Sequence, residues 1–171
     1  VSYDVFTCFA LLAPFQSSFF AGFDALSQAI EGYWAVKSTD ESDRYAEIAI
    51  KILPSAINDL INDPTSVSVR ERIALGSLYA GATIGITRTT APHALSYALT
   101  IQANIPHGAA VALLLPLFVT YNYNVNAETC ADSRGCDAVK KKIENLVPMI
   151  IGSGSVAQTA EPYLLPPTHF S

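Results

Sequence analysis

The sequence predicts an all-α protein, a bundle of six to eight helices in which residues 21–148 form the main domain. Three observations lead to this prediction. Apolar residues recur at the spacing of a helix face along most of the chain. Residue pairs typical of helix N-termini precede two of these stretches. No stretch has a convincing strand pattern, and no segment of the chain repeats.

The first helix is predicted over residues 21–36, where apolar side chains fall close to helical spacing: Phe23, Leu26, Ile30, Tyr33 and Trp34. Residues 1–20 contain several aromatic side chains without a clear period, and Pro14 interrupts them. We therefore expect an irregular lead-in over residues 1–20, or a strand followed by a turn.

Two capping boxes mark the starts of the next two helices. Ser38 with Glu41, and Ser68 with Glu71, have the spacing at which each side chain satisfies a free backbone N–H of the other residue. The first of these helices contains Pro54, which is expected to kink or split it. The second is rich in small residues and is placed in the core, because small side chains let helix backbones approach closely.

Three segments complete the predicted bundle. Thr90 can cap a helix with Pro92 in its first turn. An apolar helix then runs from Gly108 to about residue 121, and an amphipathic helix spans residues 134–147 with its lysines outward: Lys140, Lys141 and Lys142. Residues 149–171 contain prolines and a Gly-Ser-Gly-Ser stretch, so a loop-rich tail is expected there.

The composition limits the possible functions. The net charge is −5 and the basic residues are scattered, which argues against a nucleic-acid-binding protein. The apolar runs are interrupted or too short to span a membrane, so no membrane segment is expected. Only 15% of residues are charged, against roughly 25% in an average soluble domain. We therefore expect part of the surface to be buried against another domain or a second copy of the chain, as in a homo-oligomer.

The three cysteines, Cys8, Cys130 and Cys136, form no CxxC pair. Neither a disulfide framework nor a zinc knuckle is expected, although Cys130 and Cys136 can still pair across a loop. A reducing cytoplasm is the default location for such a chain.

Four residues form a candidate site for a divalent metal. Asp24 and Gln28 are four residues apart, so both project from one face of a helix. His93 and His107 each follow a proline near the start of a further helix. A carboxylate with two imidazoles suits a borderline ion such as iron or zinc, and Gln28 can add an amide oxygen. The alternative is structural: Asp24 can stabilise a helix start, and a first-turn histidine can simply be solvated.

Three segments closely resemble the iron-containing (group III) alcohol dehydrogenase family. They are Gly22–Glu31, Ala91–His93 and Pro106–Gly108 with the apolar helix that follows. The resemblance implies the C-terminal helical domain of a dehydroquinate synthase-like fold. It also implies that the metal, Fe²⁺ in the first place and Zn²⁺ as an alternative, is held by Asp24, His93 and His107.

Two residues depart from the family's pattern. Gln28 stands where the family has a third histidine ligand, which keeps a donor atom in place but weakens the expected site. Tyr97 stands where the family commonly has a histidine near the reacting alcohol. It can still donate a hydrogen bond or a proton to the substrate as a catalytic residue, or it can serve packing alone.

The resemblance also implies a substrate and a second cofactor. The segments DALSQAIEGYW, STDES and TTAPHALSY are most similar to phosphonoacetaldehyde reductase-type members, which act on an aldehyde with an anionic head. Arg88, with Thr89 and Thr90 at a helix N-terminus, is a candidate anion-binding residue. The alternative is a surface arginine near a helix C-terminus, which is a common arrangement. Hydride would come from NAD(P)H, held by an N-terminal nucleotide-binding domain that we expect to lie outside this sequence. The alternative is a non-catalytic helical domain for oligomerisation or binding that has lost its metal.

Overall fold

The computed structural model describes residues 13–152, and this part of the chain folds into six α-helices without a β-strand. The helices are α1 (Phe15–Trp34), α2 (Asp40–Asn62), α3 (Val67–Thr87), α4 (Ala91–Ala103), α5 (His107–Tyr123) and α6 (Cys136–Ile151). The predicted all-α class is confirmed, and the helix count lies at the lower end of the predicted range.

Helix α1 lies at the centre of the bundle and packs against α2, α3, α5 and α6. Its inner faces are lined by small and apolar side chains. They form one core with fully buried residues from the neighbouring helices, among them Ile50, Leu53, Ala80 and Leu146. Helix α4 packs chiefly on α5. Helix α5, which carries His107, therefore packs directly on α1, and α4, which carries His93, is held beside α1 mainly through α5.

Two glycines allow neighbouring helices to cross α1 at short distance. A Cβ atom on Gly32 would lie 2.3 Å from Cγ2 of Thr83, on α3. A Cβ atom on Gly108, at the start of α5, would lie 2.0 Å from the backbone oxygen of Phe20. Because a backbone oxygen inside a helix cannot rotate away as a side chain can, Gly108 is required for this approach of α5 to α1.

Helix α1 begins six residues earlier than predicted, so the irregular lead-in assigned to residues 1–20 is too long. Pro14 precedes the first turn, where its missing N–H costs nothing. Phe15, Phe19 and Phe23 then follow one another at a spacing of four residues, and their rings are in contact along one side of the helix. The helical period of these aromatic residues is the signal that the sequence prediction missed. Residues 1–12 lie outside the described part of the chain.

Neither predicted capping box forms: the first is displaced by one residue, and the second is absent. Helix α2 is capped by Thr39, which accepts from the Ser42 backbone N–H, while the Ser42 hydroxyl accepts from the Thr39 N–H. A hydroxyl is short enough to reach back in this way, so Glu41 is not needed. Helix α3 begins at Val67 after Ser66, without a side-chain cap.

Three further predictions about the helices differ from the structure. Helix α2 is continuous through Pro54, so the predicted split does not occur. Lys142 does not project freely into solvent: its ammonium forms an ion pair with Asp43 on α2 and lies 4.3 Å from the ring centre of Tyr33 on α1. The lysine therefore joins α6 to two other helices. Helix α6 also runs to Ile151, beyond the predicted end at 147, and residues 153–171 of the predicted tail lie outside the described part.

Cys130 and Cys136 are free thiols, so the alternative of a disulfide between them is not adopted. Cys8 lies outside the described residues. None of the helices between residues 13 and 152 combines the length and apolar character needed to cross a membrane.

Candidate metal centre

Three helices bring a carboxylate and two imidazoles together. Asp24 lies in the middle of α1, His93 in the first turn of α4, and His107 at the first position of α5. Nε2 of His93 lies 3.3 Å from Oδ1 of Asp24, and Nε2 of His107 lies 3.5 Å from the same oxygen. One ligand atom from each residue lies within 4.8 Å of the other two. The sequence placed these residues on three separate helices, and the fold brings them together.

The arrangement fits a divalent ion in its distances and in its unsatisfied atoms. Two ligand atoms bound at about 2.1 Å in a tetrahedral site lie about 3.4 Å apart, close to the separations seen here. Oδ1 of Asp24 and Nε2 of His93 are buried, and apart from the 3.3 Å contact between them neither has a hydrogen-bond partner in the described part of the chain. Buried polar atoms normally have a partner. The donor set, one carboxylate oxygen and two imidazole nitrogens, suits iron or zinc.

A residue that the sequence prediction did not single out orients His93. Glu31, two turns after Asp24 on α1, is fully buried. Its Oε1 lies 2.5 Å from Nδ1 of His93. With Nδ1 engaged by Glu31, the other ring nitrogen of His93 faces Asp24 and His107. Glu31 could have been found in the sequence as a charged residue among apolar ones on a core-facing helix.

The carboxylate of Glu31 also occupies the N-terminus of α4. The backbone N–H of Thr90 donates to Oε2 at 2.5 Å, and the Thr90 hydroxyl donates to the same oxygen at 2.8 Å. The Thr90 hydroxyl in turn accepts from Nε1 of Trp34 at 3.0 Å. Thr90 is thus the residue before α4, as predicted, but its side chain does not cap its own helix. A negative charge at a helix N-terminus is favoured by the helix dipole.

The imidazole of His107 contacts two further residues of α4, Ser96 and Tyr97. Its Nδ1 lies 3.5 Å from the buried hydroxyl of Ser96, which donates to the backbone oxygen of His93 at 2.7 Å. The ring of Tyr97 stacks on the imidazole of His107, with 5.5 Å between ring centres, and more than half of Tyr97 is exposed. Tyr97 therefore lies at the open edge of the cluster, where a substrate could reach it.

The amide of Gln28 binds Asp24. Nε2 of Gln28 donates to Oδ2 of Asp24 at 2.8 Å, which leaves Oδ1 of that carboxylate directed at the histidines. A carboxylate only accepts hydrogen bonds, so the NH₂ group, and not the amide oxygen, must face it. Gln28 thus lies beside the cluster in contact with Asp24, and its role as a fourth metal ligand stays a prediction.

The charge balance of the cluster favours a protonated His93 in the metal-free chain. Burial of the ring opposes protonation, but the carboxylates of Asp24 and Glu31 outweigh it and raise the pKa of His93 to about 9. A divalent ion would replace the proton on Nε2, since imidazole binds metals in its neutral form.

Arg88 is exposed and adopts a backbone conformation with a φ of 69° at the C-terminus of α3. Within residues 13–152 it makes no hydrogen bond or ion pair to the cluster through its side chain. Thr90, one of its two predicted helpers in holding an anion, already uses its N–H and hydroxyl for Glu31. An internal carboxylate thus takes the place that an external anion was expected to occupy at Thr90.

A model of the C-terminal part of the Fe-containing alcohol dehydrogenase family matches residues 19–162. This range includes all six helices apart from the first turn of α1.

Characterised relatives include a phosphonoacetaldehyde reductase from Streptomyces viridochromogenes, 31% identical over 130 residues, which are 76% of this chain and 33% of that protein. A 1,3-propanediol dehydrogenase from Klebsiella pneumoniae is 32% identical over 111 residues, 65% of this chain and 29% of that protein. The chain spans about a third of the length of these relatives.

Solved structures of similar fold point the same way. An iron-containing alcohol dehydrogenase from Thermotoga maritima has a TM-score of 0.69 and 29% identity, covering 90% of this chain and 38% of that one. A sulfoacetaldehyde reductase from Bifidobacterium kashiwanohense, solved in complex with NAD⁺, has a TM-score of 0.64 and 29% identity, covering 82% and 39%.

Proposed function

Because the chain belongs to the Fe-containing alcohol dehydrogenase family, whose members include alcohol and aldehyde dehydrogenases, we propose that it supplies the metal-binding part of an NAD(P)-dependent aldehyde reductase. In this proposal it acts with a nucleotide-binding domain of the kind implied by the family resemblance. The observation that carries the proposal is the convergence of Asp24, His93 and His107 from three helices, with buried unsatisfied ligand atoms at its centre.

In the proposed enzyme, Asp24, His93 and His107 hold a divalent ion, Fe²⁺ or Zn²⁺. The chemistry that such an ion supplies when bound is Lewis-acid polarisation of a carbonyl oxygen. Asp24 contributes negative charge and the two histidines contribute neutral Nε2 atoms. Gln28 keeps Oδ1 of Asp24 directed at the histidines through its hydrogen bond to Oδ2.

Tyr97 is the proposed proton donor for the alcohol that forms from the aldehyde. Its ring lies against His107 and is open to solvent, so its hydroxyl belongs to the part of the site that a small substrate can reach. Replacing Tyr97 with Phe is expected to lower kcat and leave metal content unchanged. A loss of metal in this variant would assign Tyr97 to packing of His107.

Metal analysis tests the proposal directly. The chain, purified without chelator and loaded with Fe²⁺ under anaerobic conditions or with Zn²⁺, is expected to hold close to one ion per chain. His107→Ala should lose that ion, whereas Tyr121→Phe, a change at an exposed position further along α5, should retain it. Failure of the unaltered chain to hold either metal would overturn the proposal in favour of a non-catalytic helical domain.

The proposed substrate class is an aldehyde with an anionic head group. Two relatives carry names of this kind, a phosphonoacetaldehyde reductase and a sulfoacetaldehyde reductase. Arg88 is the proposed contact with the anion, since its side chain is exposed just before the helix that bears His93.

In the enzyme that carries both domains, Arg88→Ala should raise KM for an anionic aldehyde and leave a neutral aldehyde unaffected. Arg44→Ala, which removes an exposed arginine from α2, serves as the matched control. An equal loss with both aldehydes would remove Arg88 from the proposal.

A further inference from the structure

The carboxylate of Glu31 has an unusual environment for a structural residue. It is fully buried within the bundle, and burying an ionised carboxylate is costly unless it is paired and hydrogen-bonded. Its partners are two donors of Thr90 and the imidazole of His93. Because an apolar side chain of similar volume would avoid this cost, the burial of Glu31 needs a reason other than stability.

With Glu31 ionised, the hydrogen bonds around it have only one consistent direction. The indole of Trp34 can only donate, so the Thr90 hydroxyl accepts from it and directs its own hydrogen to Oε2 of Glu31. The Thr90 backbone N–H reaches the same oxygen. Oε2 therefore accepts two hydrogen bonds from Thr90. As a carboxylate, Glu31 can only accept at Oε1 as well. Nδ1 of His93 must therefore be the donor at the 2.5 Å contact.

This direction determines which ring nitrogen of His93 is available to a metal. With the hydrogen on Nδ1, the lone pair of the neutral ring lies on Nε2, which is buried without a hydrogen bond 3.3 Å from Oδ1 of Asp24. A carboxylate that holds the non-coordinating nitrogen of a histidine fixes both its tautomer and its ring orientation.

We propose that Glu31 is a positioning residue for the metal site: it holds His93 in the Nδ1–H form with Nε2 directed at Asp24 and His107, and Thr90 in turn holds Glu31. This inference rests on the proposed function, since it presupposes that a divalent ion binds at this cluster. Glu31 itself lies outside the ligand set, at the end of a hydrogen-bond chain that runs from Trp34 through Thr90.

Two substitutions test the inference with Co²⁺ as the probe. Glu31→Gln keeps the size of the side chain. Its NH₂ group would face a donor in either orientation, the Thr90 donors on one side or Nδ1–H of His93 on the other. Thr90→Val keeps the backbone N–H and removes the hydroxyl, while Thr90→Ser restores it. Thr83→Val is the control, because it makes the same change at a fully buried threonine whose hydroxyl donates only to the backbone oxygen of Tyr79 in its own helix.

Co²⁺ titration of the 171-residue chain gives the affinities, and nitrogen-15 histidine spectra of the Zn²⁺-loaded chain report the ring state. We expect Glu31→Gln to bind Co²⁺ about 10–100-fold more weakly, the usual effect of losing such a partner. Thr90→Val should lose less Co²⁺ affinity than Glu31→Gln does. Thr90→Ser should restore the affinity, and Thr83→Val should bind Co²⁺ as the unaltered chain does. The spectrum of the unaltered chain should show His93 protonated at Nδ1 and coordinated at Nε2, and Glu31→Gln should alter that signature.

The outcomes separate this inference from the proposed function. If the unaltered chain binds no Co²⁺, the proposed function fails and this inference fails with it. If the unaltered chain binds and the Glu31 and Thr90 variants match it in affinity and in the histidine spectrum, only the positioning role is overturned. If Glu31→Gln does not fold, the comparison of Thr90→Val with Thr90→Ser decides the question, since equal affinities would contradict the inference.

Discussion

At the scale of single residues, the cluster is built so that each ligand atom is directed by a neighbour. Gln28 holds one oxygen of Asp24, Glu31 holds one nitrogen of His93, and the remaining atoms face each other. In the metal-free chain, two carboxylates and a protonated imidazole share this buried space. The charge state of His93 is therefore coupled to the stability of the fold.

The first residue-scale prediction concerns pH. The folded-state pKa of His93, about 9, lies above its ordinary value of 6.5, so protonation of His93 stabilises the metal-free chain. The stabilisation is complete below pH 6.5, decreases as the pH rises, and is lost above about pH 9. The expected total is up to roughly 3 kcal/mol. Urea unfolding of chelator-treated chain at a series of pH values measures it, and His93→Gln should remove most of the slope. An unchanged slope in that variant would contradict the assignment.

The second residue-scale prediction concerns Gln28. Gln28→His would add an imidazole donor beside Asp24 and complete a set of four protein ligands, as the family pattern has. We expect Co²⁺ to bind about tenfold more tightly or better, a gain of about 1.4 kcal/mol. Gln28→Leu removes the hydrogen bond to Asp24 without adding a ligand and should weaken binding. If both variants bind Co²⁺ more weakly than the unaltered chain, the position does not accept a fourth ligand.

At the scale of helices, the site depends on how closely α5 approaches α1. Gly108 permits this approach, and the preceding residue, His107, needs it to come within 3.5 Å of Asp24. The backbone oxygen of Phe20 is the limiting contact, because it is held within α1. The distance between Asp24 and His107 is therefore set by the absence of a side chain on Gly108.

Gly108→Ala tests this dependence. A Cβ 2.0 Å from the Phe20 oxygen forces α5 away from α1, and we expect a loss of about 1–3 kcal/mol in stability, typical of overpacking, together with weaker metal binding. Gly81→Ala is the control, since nothing lies within 4 Å of its Cβ position and α3 should gain helix propensity. Urea unfolding and Co²⁺ titration measure the two effects. Unchanged Co²⁺ affinity in Gly108→Ala would show that His107 does not need this approach.

At the scale of the whole molecule, the cluster joins segments that lie far apart in the sequence. Asp24 and His107 are separated by most of the described chain, and the intervening helices α2 and α3 pack on α1 without contributing to the cluster. A bound ion would therefore link α1, α4 and α5 directly. Binding to the folded state alone increases stability by mass action.

Metal removal tests this linkage. At a free Zn²⁺ concentration 100 times its Kd, the folded chain should gain about 2.7 kcal/mol. Thermal unfolding should shift upward by several degrees and return on addition of chelator. His107→Ala should show no shift, whereas Lys142→Met, which breaks the ion pair between α6 and α2, should be less stable but respond fully to Zn²⁺. A shift of equal size in His107→Ala would locate the ion elsewhere.

The sequence by itself determined the all-α class, most of the helices and the segments that bear Asp24, His93 and His107. These features depend on local spacing, on prolines and glycines near helix ends, and on short segments that resemble a known family. Whether the three residues bind a metal stays a prediction.

Only the tertiary structure decided the surroundings of these residues. Glu31 stands out in the sequence only as a charged residue on an apolar helix, and its contacts with Thr90 and His93 exist because α4 begins next to it. The Thr90 hydroxyl donates to that carboxylate and does not cap its own helix. Lys142 forms an ion pair with another helix and does not project freely into solvent. Each outcome depends on a contact between residues more than fifty positions apart, and no local pattern encodes such a contact.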